Sequence, residues 1–120
     1  MIAAMELLDP TPNGYSQVAR VPAGSTLVYV SGQFGEGDGW EAQTRAAFGN
    51  LTAALERGGA NWANVIKLTY YVVDTAELPV VRAVRDEFID TERPPTSTLV
   101  RVAGLFRDDL LIEIEAVAAI

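Results

Sequence analysis

The side chains able to do chemistry are few in this sequence, and their types limit that chemistry sharply. Neither His nor Cys occurs among the 120 residues. A Ser-His-Asp triad, a Cys-His dyad, a thiol nucleophile and every ordinary zinc or iron–sulfur site are thereby excluded. Carboxylates, hydroxyls, amides, Lys and Arg remain, and a metal would need an all-oxygen magnesium or calcium site. Four clusters hold these groups. Asn13-Gly14-Tyr15-Ser16-Gln17 is a turn followed at once by a phenol, a hydroxyl and an amide; it reads either as a ligand-facing edge or as an Asx-type turn with Tyr15 packed at a strand start. Ser31-Gly32-Gln33 ends a β-prone run where backbone N–H groups can face a ligand with no Cβ in the way, although strand ends favour Ser and Gly for turn reasons alone. Glu113 and Glu115 stand two apart. A carboxylate there could hold or activate water in a partly dry cleft, or simply belong to a solvated strand face. Arg82, Arg85, Arg93 and Arg101 form the last set. The first two, three apart and beside Asp86 and Glu87, read as surface ion pairs or as a bidentate anchor for a carboxylate.

These groups must be positioned by a chain that is 49% hydrophobic, 21% charged and carries a formal net charge of −7. That composition fits one domain over residues 1–120, with residues 1–12 as an N-terminal arm ending in Asp9-Pro10-Thr11-Pro12. No apolar run approaches the roughly 20 residues that span a bilayer, and no leader pattern opens the chain, so a cytoplasmic location without membrane contact is expected. An acidic surface repels phosphate backbones, so nucleic acid is not an expected partner.

Residues 16–21 and 26–31 are short β-prone runs joined by Pro22-Ala23-Gly24-Ser25, a spacing that predicts a hairpin. The glycine-rich stretch 32–39 has no hydrophobic period and reads as a loop, a candidate binding loop. Ala47, Leu51, Ala54 and Leu55 recur at helical steps and predict a helix over 40–57, closed by Gly58-Gly59. Residues 65–73 predict a central strand, 76–90 a second helix with Leu78, Val81, Val84 and Phe88 inward, and 98–103 and 110–118 the last strands. In the final strand Ile112 and Ile114 must share one sheet face, and Glu113 and Glu115 the other. The order β-β-α-β-α-β-β predicts an α+β domain with two helices on one face of a single, mostly antiparallel sheet. Its other face, expected to be apolar through Val65, Leu68, Tyr70, Tyr71, Val100 and Leu111, would then be an interface.

Taken in order, these clusters resemble the Rid family, also called YjgF/YER057c/UK114. The resemblance rests on Asn13-Gly14-Tyr15-Ser16-Gln17, Ser31-Gly32-Gln33, Gln43-Thr44 with Asn50-Leu51, Gly59-Ala60 and Val65-Ile66-Lys67-Leu68-Thr69. It continues through Phe88, Pro94 and Ile112-Glu113-Ile114-Glu115-Ala116, covering about residues 12–118. It implies a chorismate-mutase-like fold assembled as a homotrimeric barrel, with small-molecule clefts between subunits and no metal or organic cofactor. Deaminating members hydrolyse enamine and imine intermediates to a 2-oxo acid and ammonia. Carried over residue by residue, the resemblance makes Glu113 and Tyr15 the expected catalytic residues. It makes Ser31, Gly32, Arg82, Thr96 and Thr98 the expected substrate-binding residues. The family's Pro-any-Arg-Ser becomes Pro94-Pro95-Thr96-Ser97, so Thr96 stands where the guanidinium that pairs with the substrate carboxylate is expected. Arg82 falls where many deaminating relatives carry Asn, so it is a candidate replacement for that charge. The implied function is therefore small-molecule binding with 2-imino acid deamination lost or altered. The alternative is an active deaminase or hydrolase on a different, less anionic enamine or imine. A structural trimer with vestigial clefts is a third class. Some relatives are described as endoribonucleases, an activity that a net charge of −7 and the lack of a His or Lys dyad oppose.

Overall fold

Alternation in two neighbouring strands sets the architecture. The computed structural model describes residues 5–120; residues 1–4 of the expected arm lie outside the described residues. The elements are β1 (Glu6–Pro10), β2 (Ser16–Arg20), β3 (Leu27–Gln33), α1 (Trp40–Arg57), β4 (Val65–Val72), α2 (Leu78–Arg85), β5 (Thr96–Arg101) and β6 (Ile112–Ala119), with a single 3-10 turn at Trp62–Asn64. The sheet runs β1-β2-β5-β4-β6-β3. β5 pairs in parallel with both β2 and β4, and the other pairs are antiparallel. This is the α+β, chorismate-mutase-like arrangement that the family resemblance implies.

Both helices lie on the face that β4 and β6 make aliphatic. Leu68, Tyr70 and Val72 register with Ala116, Ile114 and Ile112, and all six are buried against Ala47, Phe48, Leu51 and Leu55 of α1. Phe48 sits at the centre, 5.0 Å from the Phe88 ring and 5.6 Å from Trp62, whose indole N–H donates to Thr52 at 2.8 Å. Among the described residues no helix is long and apolar enough to cross a membrane.

Four expectations are corrected by this arrangement. The two β-prone runs around Pro22-Ala23-Gly24-Ser25 do not form a hairpin: β2 pairs with β1 and β5, while β3 lies at the far edge beside β6. A turn signal fixes a chain reversal, whereas strand partners are chosen by which faces can be buried. The hairpin instead joins β1 to β2 through Asn13-Gly14, so part of the expected arm is an edge strand, where Pro10 is tolerated because it withholds no needed donor. Helix α2 is shorter than predicted. Asp74 accepts from the Ala76 N–H at 2.9 Å in an Asx turn, Pro79 sits in the first turn, and beyond Arg85 tight turns carry Phe88 and Ile89 inward. The open sheet face is also less apolar than expected, because Val65, Leu68 and Tyr70 point at the helices. It carries Lys67, Thr69, Tyr71, Thr98, Val100, Glu113, Glu115 and Val117, with Tyr29 74% exposed.

The glycine-rich stretch has a packing role. A Cβ at Gly35 would overlap Ala46, and one at Gly37 would come within 2.7 Å of the Ala42 Cβ, so these glycines let the chain lie flat on α1. Buried Gln43 then staples the loops. Its amide N–H2 donates to the carbonyls of Gly37 (3.2 Å) and Asp109 (2.9 Å), and its carbonyl accepts from the Leu111 N–H at 2.9 Å. Gln43→Ala is expected to cost roughly 1–3 kcal/mol, because it leaves buried main-chain groups unpaired, as urea denaturation would measure.

A surface fork joins α1 to the segment after α2: Arg45 donates to both Glu87 oxygens at 2.9 Å. The Arg45 guanidinium holds the Glu87 carboxyl below its ordinary range. A depressed folded value means that the contribution is present above the ordinary glutamate pKa and lost as pH falls through the folded one. A double-mutant cycle of Arg45→Gln and Glu87→Gln should therefore show favourable coupling at pH 7 that disappears on acidification.

Candidate functional site

The expected site residues fall into two groups within one subunit. The first lies on the open face. Alternation and register place Thr96 with Lys67 and Val117, Thr98 with Thr69 and Glu115, and Val100 with Tyr71 and Glu113. Successive rows on such a face are about 7 Å apart. The register between β3 and β6 shifts between Val30 and Gln33, and Gly32 lies there against the Glu113 carboxylate. Glu113, half-buried, leans over Gly32 so closely that a Cβ there would overlap its carboxylate. Ser31 is exposed, its carbonyl accepting from the Gln33 amide at 3.1 Å.

A cavity of about 440 Å³ opens beside Glu113 and Glu115, with Leu105, Phe106 and Tyr71 in its walls. Tyr71 donates to the Glu115 carboxylate. That hydrogen bond, then burial and the nearby carboxylates, raise the Tyr71 pKa, so the phenol stays protonated. The sequence reading places Tyr71 on the apolar face but at no site, and it does not single out Phe106. The alternation of β4 against β6 was the available signal for Tyr71; Phe106 sits in a loop with no such period.

Position 96 offers little to a ligand. The Thr96 hydroxyl donates to the Ile66 carbonyl at 2.5 Å and is thereby committed to the main chain of the neighbouring strand. A cation on this face is Lys67, whose Nζ is 3.5 Å from the Thr98 hydroxyl. An ammonium is a point charge on a flexible stem, without the planar fork that matches a carboxylate.

The second group lies on the helix side. Tyr15 and Arg82 line a cavity of about 240 Å³ beneath α2, together with Tyr70, Arg85 and Ser97. Glu113, Gly32, Thr96 and Thr98 do not line it. The β1–β2 hairpin carries Tyr15 there because Ser16 is pinned to the strand opposite: its hydroxyl donates to the Pro94 carbonyl at 2.6 Å and its N–H to Pro95 at 3.0 Å. Arg85 covers the Asn13-Gly14 turn, donating to the Asn13 carbonyl at 3.1 Å and pairing with Asp86 at 2.9 Å.

Residues 8–120 match the family model described as Endoribonuclease L-PSP. A protein of Dermatophagoides farinae named 2-iminobutanoate/2-iminopropanoate deaminase is 33% identical over 122 residues, covering 94% of this chain and 91% of its own. The crystal structure of a YjgF/YER057c/UK114 family member from Mycobacterium tuberculosis is 34% identical with a TM-score of 0.74, over 98% of this chain and all of that one. Escherichia coli TdcF, solved with bound serine, is 31% identical with a TM-score of 0.71, over 83% of this chain and 84% of its own.

The close approach of Gly32 and Glu113 makes a test of the open-face group. Gly32→Ala puts a methyl where the flexible carboxylate rests, so the carboxylate must swing aside. Stability should change by less than about 1 kcal/mol in urea, while a crystal structure of the variant shows Glu113 displaced.

Proposed function

Because the chain belongs to the Rid (YjgF/YER057c/UK114) family, we propose that it binds a small molecule in clefts between the subunits of a homotrimer, and that hydrolysis of 2-imino acids is lost or altered in it. The trimer packs the open sheet faces around a common axis, covering Tyr29, Val100 and the carboxylate rows. Glu113 and Gly32 form one wall of each cleft, with Ser31 and Thr98 as hydrogen-bonding groups. Light scattering at micromolar concentration should give three times the monomer mass.

The observation that carries the reading is the state of Thr96. An imino acid brings a carboxylate, and at position 96 it meets a short side chain whose hydroxyl is already given to Ile66. Placing that carboxylate near Glu113 without a guanidinium leaves a buried charge unpaired, a penalty on the order of 3–5 kcal/mol when such a partner is missing. A neutral or amine-bearing ligand escapes the penalty and gains from Glu113.

A second reading has its own support. The Glu113 carboxylate still lies over Gly32 and opens onto a cavity of about 440 Å³, so water could be positioned there for hydrolysis of a less anionic enamine or imine.

The test is hydrolysis of 2-imino acids generated in place by an amino-acid oxidase. The wild type is expected at the uncatalysed rate and Thr96→Arg at least about tenfold above it, the gain expected of a charge-assisted carboxylate contact. Adding Glu113→Gln should abolish the gain. Turnover by the wild type would overturn the proposed loss.

A further inference from the structure

We propose that Asn13 is a self-modification site: its side-chain amide is lost as ammonia through attack by the main-chain nitrogen of Gly14, and Arg85 promotes the step. The product is a carboxylate in the turn that carries Tyr15.

The fold singles out one asparagine of four. Asn50 donates to the Phe34 carbonyl at 2.7 Å, and the Asn61 and Asn64 side chains each accept a main-chain N–H at 2.9 Å. Asn13 is exposed, and its side chain makes no hydrogen bond among the described residues. It alone precedes a glycine, so no Cβ stands beside the attacking nitrogen. The Gly14 N–H is loosely held, its bond to the Thr11 carbonyl being 3.4 Å long.

Arg85 supplies the activation. When a main-chain nitrogen gives up its proton to attack, the charge spreads onto the carbonyl oxygen of the same peptide. For Gly14 that oxygen belongs to Asn13, and it accepts from Arg85 Nη1 at 3.1 Å. A cationic donor placed there favours the deprotonated form and makes the nitrogen a better nucleophile. Asp86 holds the guanidinium in this position, facing Nε and Nη2 at 2.9 Å and leaving Nη1 for the turn. The Arg85 side chain is only 12% exposed, so solvent screens the contact little. It also lies against the glycine itself: a Cβ at Gly14, where φ is +82°, would come within 2.2 Å of Nη2.

The step balances with water as its only co-reactant. Solvent takes the Gly14 N–H proton, the nitrogen bonds to Asn13 Cγ, the Cγ–Nδ2 bond breaks, and Nδ2 recovers a proton from solvent and leaves as ammonia. Water then opens the five-membered imide. Breaking the bond from Gly14 nitrogen to Cγ gives an aspartate on an unchanged chain. Breaking the bond from that nitrogen to the main-chain carbonyl carbon gives an isoaspartate, whose main chain runs through Cβ.

Either product alters the wall beneath α2. Asn13 lines that cavity, and no carboxylate does, so one negative charge is added where there was none, on top of a net charge of −7. The isoaspartate also lengthens the span closed by the 2.8 Å bond from the Thr11 N–H to the Tyr15 carbonyl, which displaces Tyr15. The turn thus changes once, in one direction, with the age of the protein.

The test follows the full-length protein over several weeks at neutral pH and physiological temperature. It is digested with trypsin and read by mass spectrometry, with isoaspartyl methyltransferase labelling to count isoaspartate. The fragment Met1–Arg20 should gain the single mass unit that exchange of amide for acid brings, while fragments carrying Asn50, Asn61 and Asn64 stay unchanged. Asn13→Ser should abolish the gain. Arg85→Gln should slow it about tenfold, and Arg85→Lys, which keeps the charge without the fork, should fall between. The chain unfolded in urea provides a second measurement that needs no variant to fold: it lacks the Arg85 contact and should react more slowly than the native protein. Asn13→Asp should melt level with the wild type, and the isolated isoaspartate form lower. No gain in Met1–Arg20, an equal gain at another asparagine, an Arg85→Gln rate as fast as the wild type, or faster reaction in urea would each overturn the proposal. Imino-acid turnover is read separately, so the two readings fail independently.

Discussion

The structure depends above all on the two-residue alternation of β4 and β6, locked together in register. Leu68, Tyr70 and Val72 lie opposite Ala116, Ile114 and Ile112, so one face is wholly apolar and must be covered by the helices. The same pairing leaves Lys67, Thr69 and Tyr71 opposite Val117, Glu115 and Glu113 on the other face. A slip of β6 by one residue would drive Glu113 and Glu115 into the core and put Ile112 and Ile114 into water. Core and candidate site are therefore two sides of one constraint, and neither can be moved without the other.

That dependence explains what the sequence made legible. The isoleucine–glutamate alternation of β6 and the helical period of α1 are local, dense in apolar residues and matched by burial, so both elements lie where the pattern predicts. The turn at Pro22-Ala23-Gly24-Ser25 does not make a hairpin, because the turn is local while the partners of β2 and β3 are not. The closeness of Gly32 to Glu113 falls at a register shift between edge and neighbour that no spacing announces. The commitment of the Thr96 hydroxyl to Ile66 is a property of hydrogen bonding in the assembled sheet, invisible in residue types alone.

The two candidate ligand regions differ in sign. Glu113 and Glu115 make the open-face cavity acidic, whereas Arg82 and Arg85 make the cavity beneath α2 basic. Strand β5 serves both, turning Thr96 and Thr98 to one side and Ser97 and Leu99 to the other. Chemistry that opposes itself is kept apart by the thickness of a single strand.

The bond from Ser16 to Pro94 joins residues 78 positions apart. The β1–β2 hairpin has nothing to dock on until β5 is in place beside it. Loop closure over such a distance is costly before other contacts reward it, so pairing of this kind comes late. The wall that carries Tyr15 accordingly closes late, and during synthesis the first strands made must wait, unpartnered on one edge, for the final third of the chain.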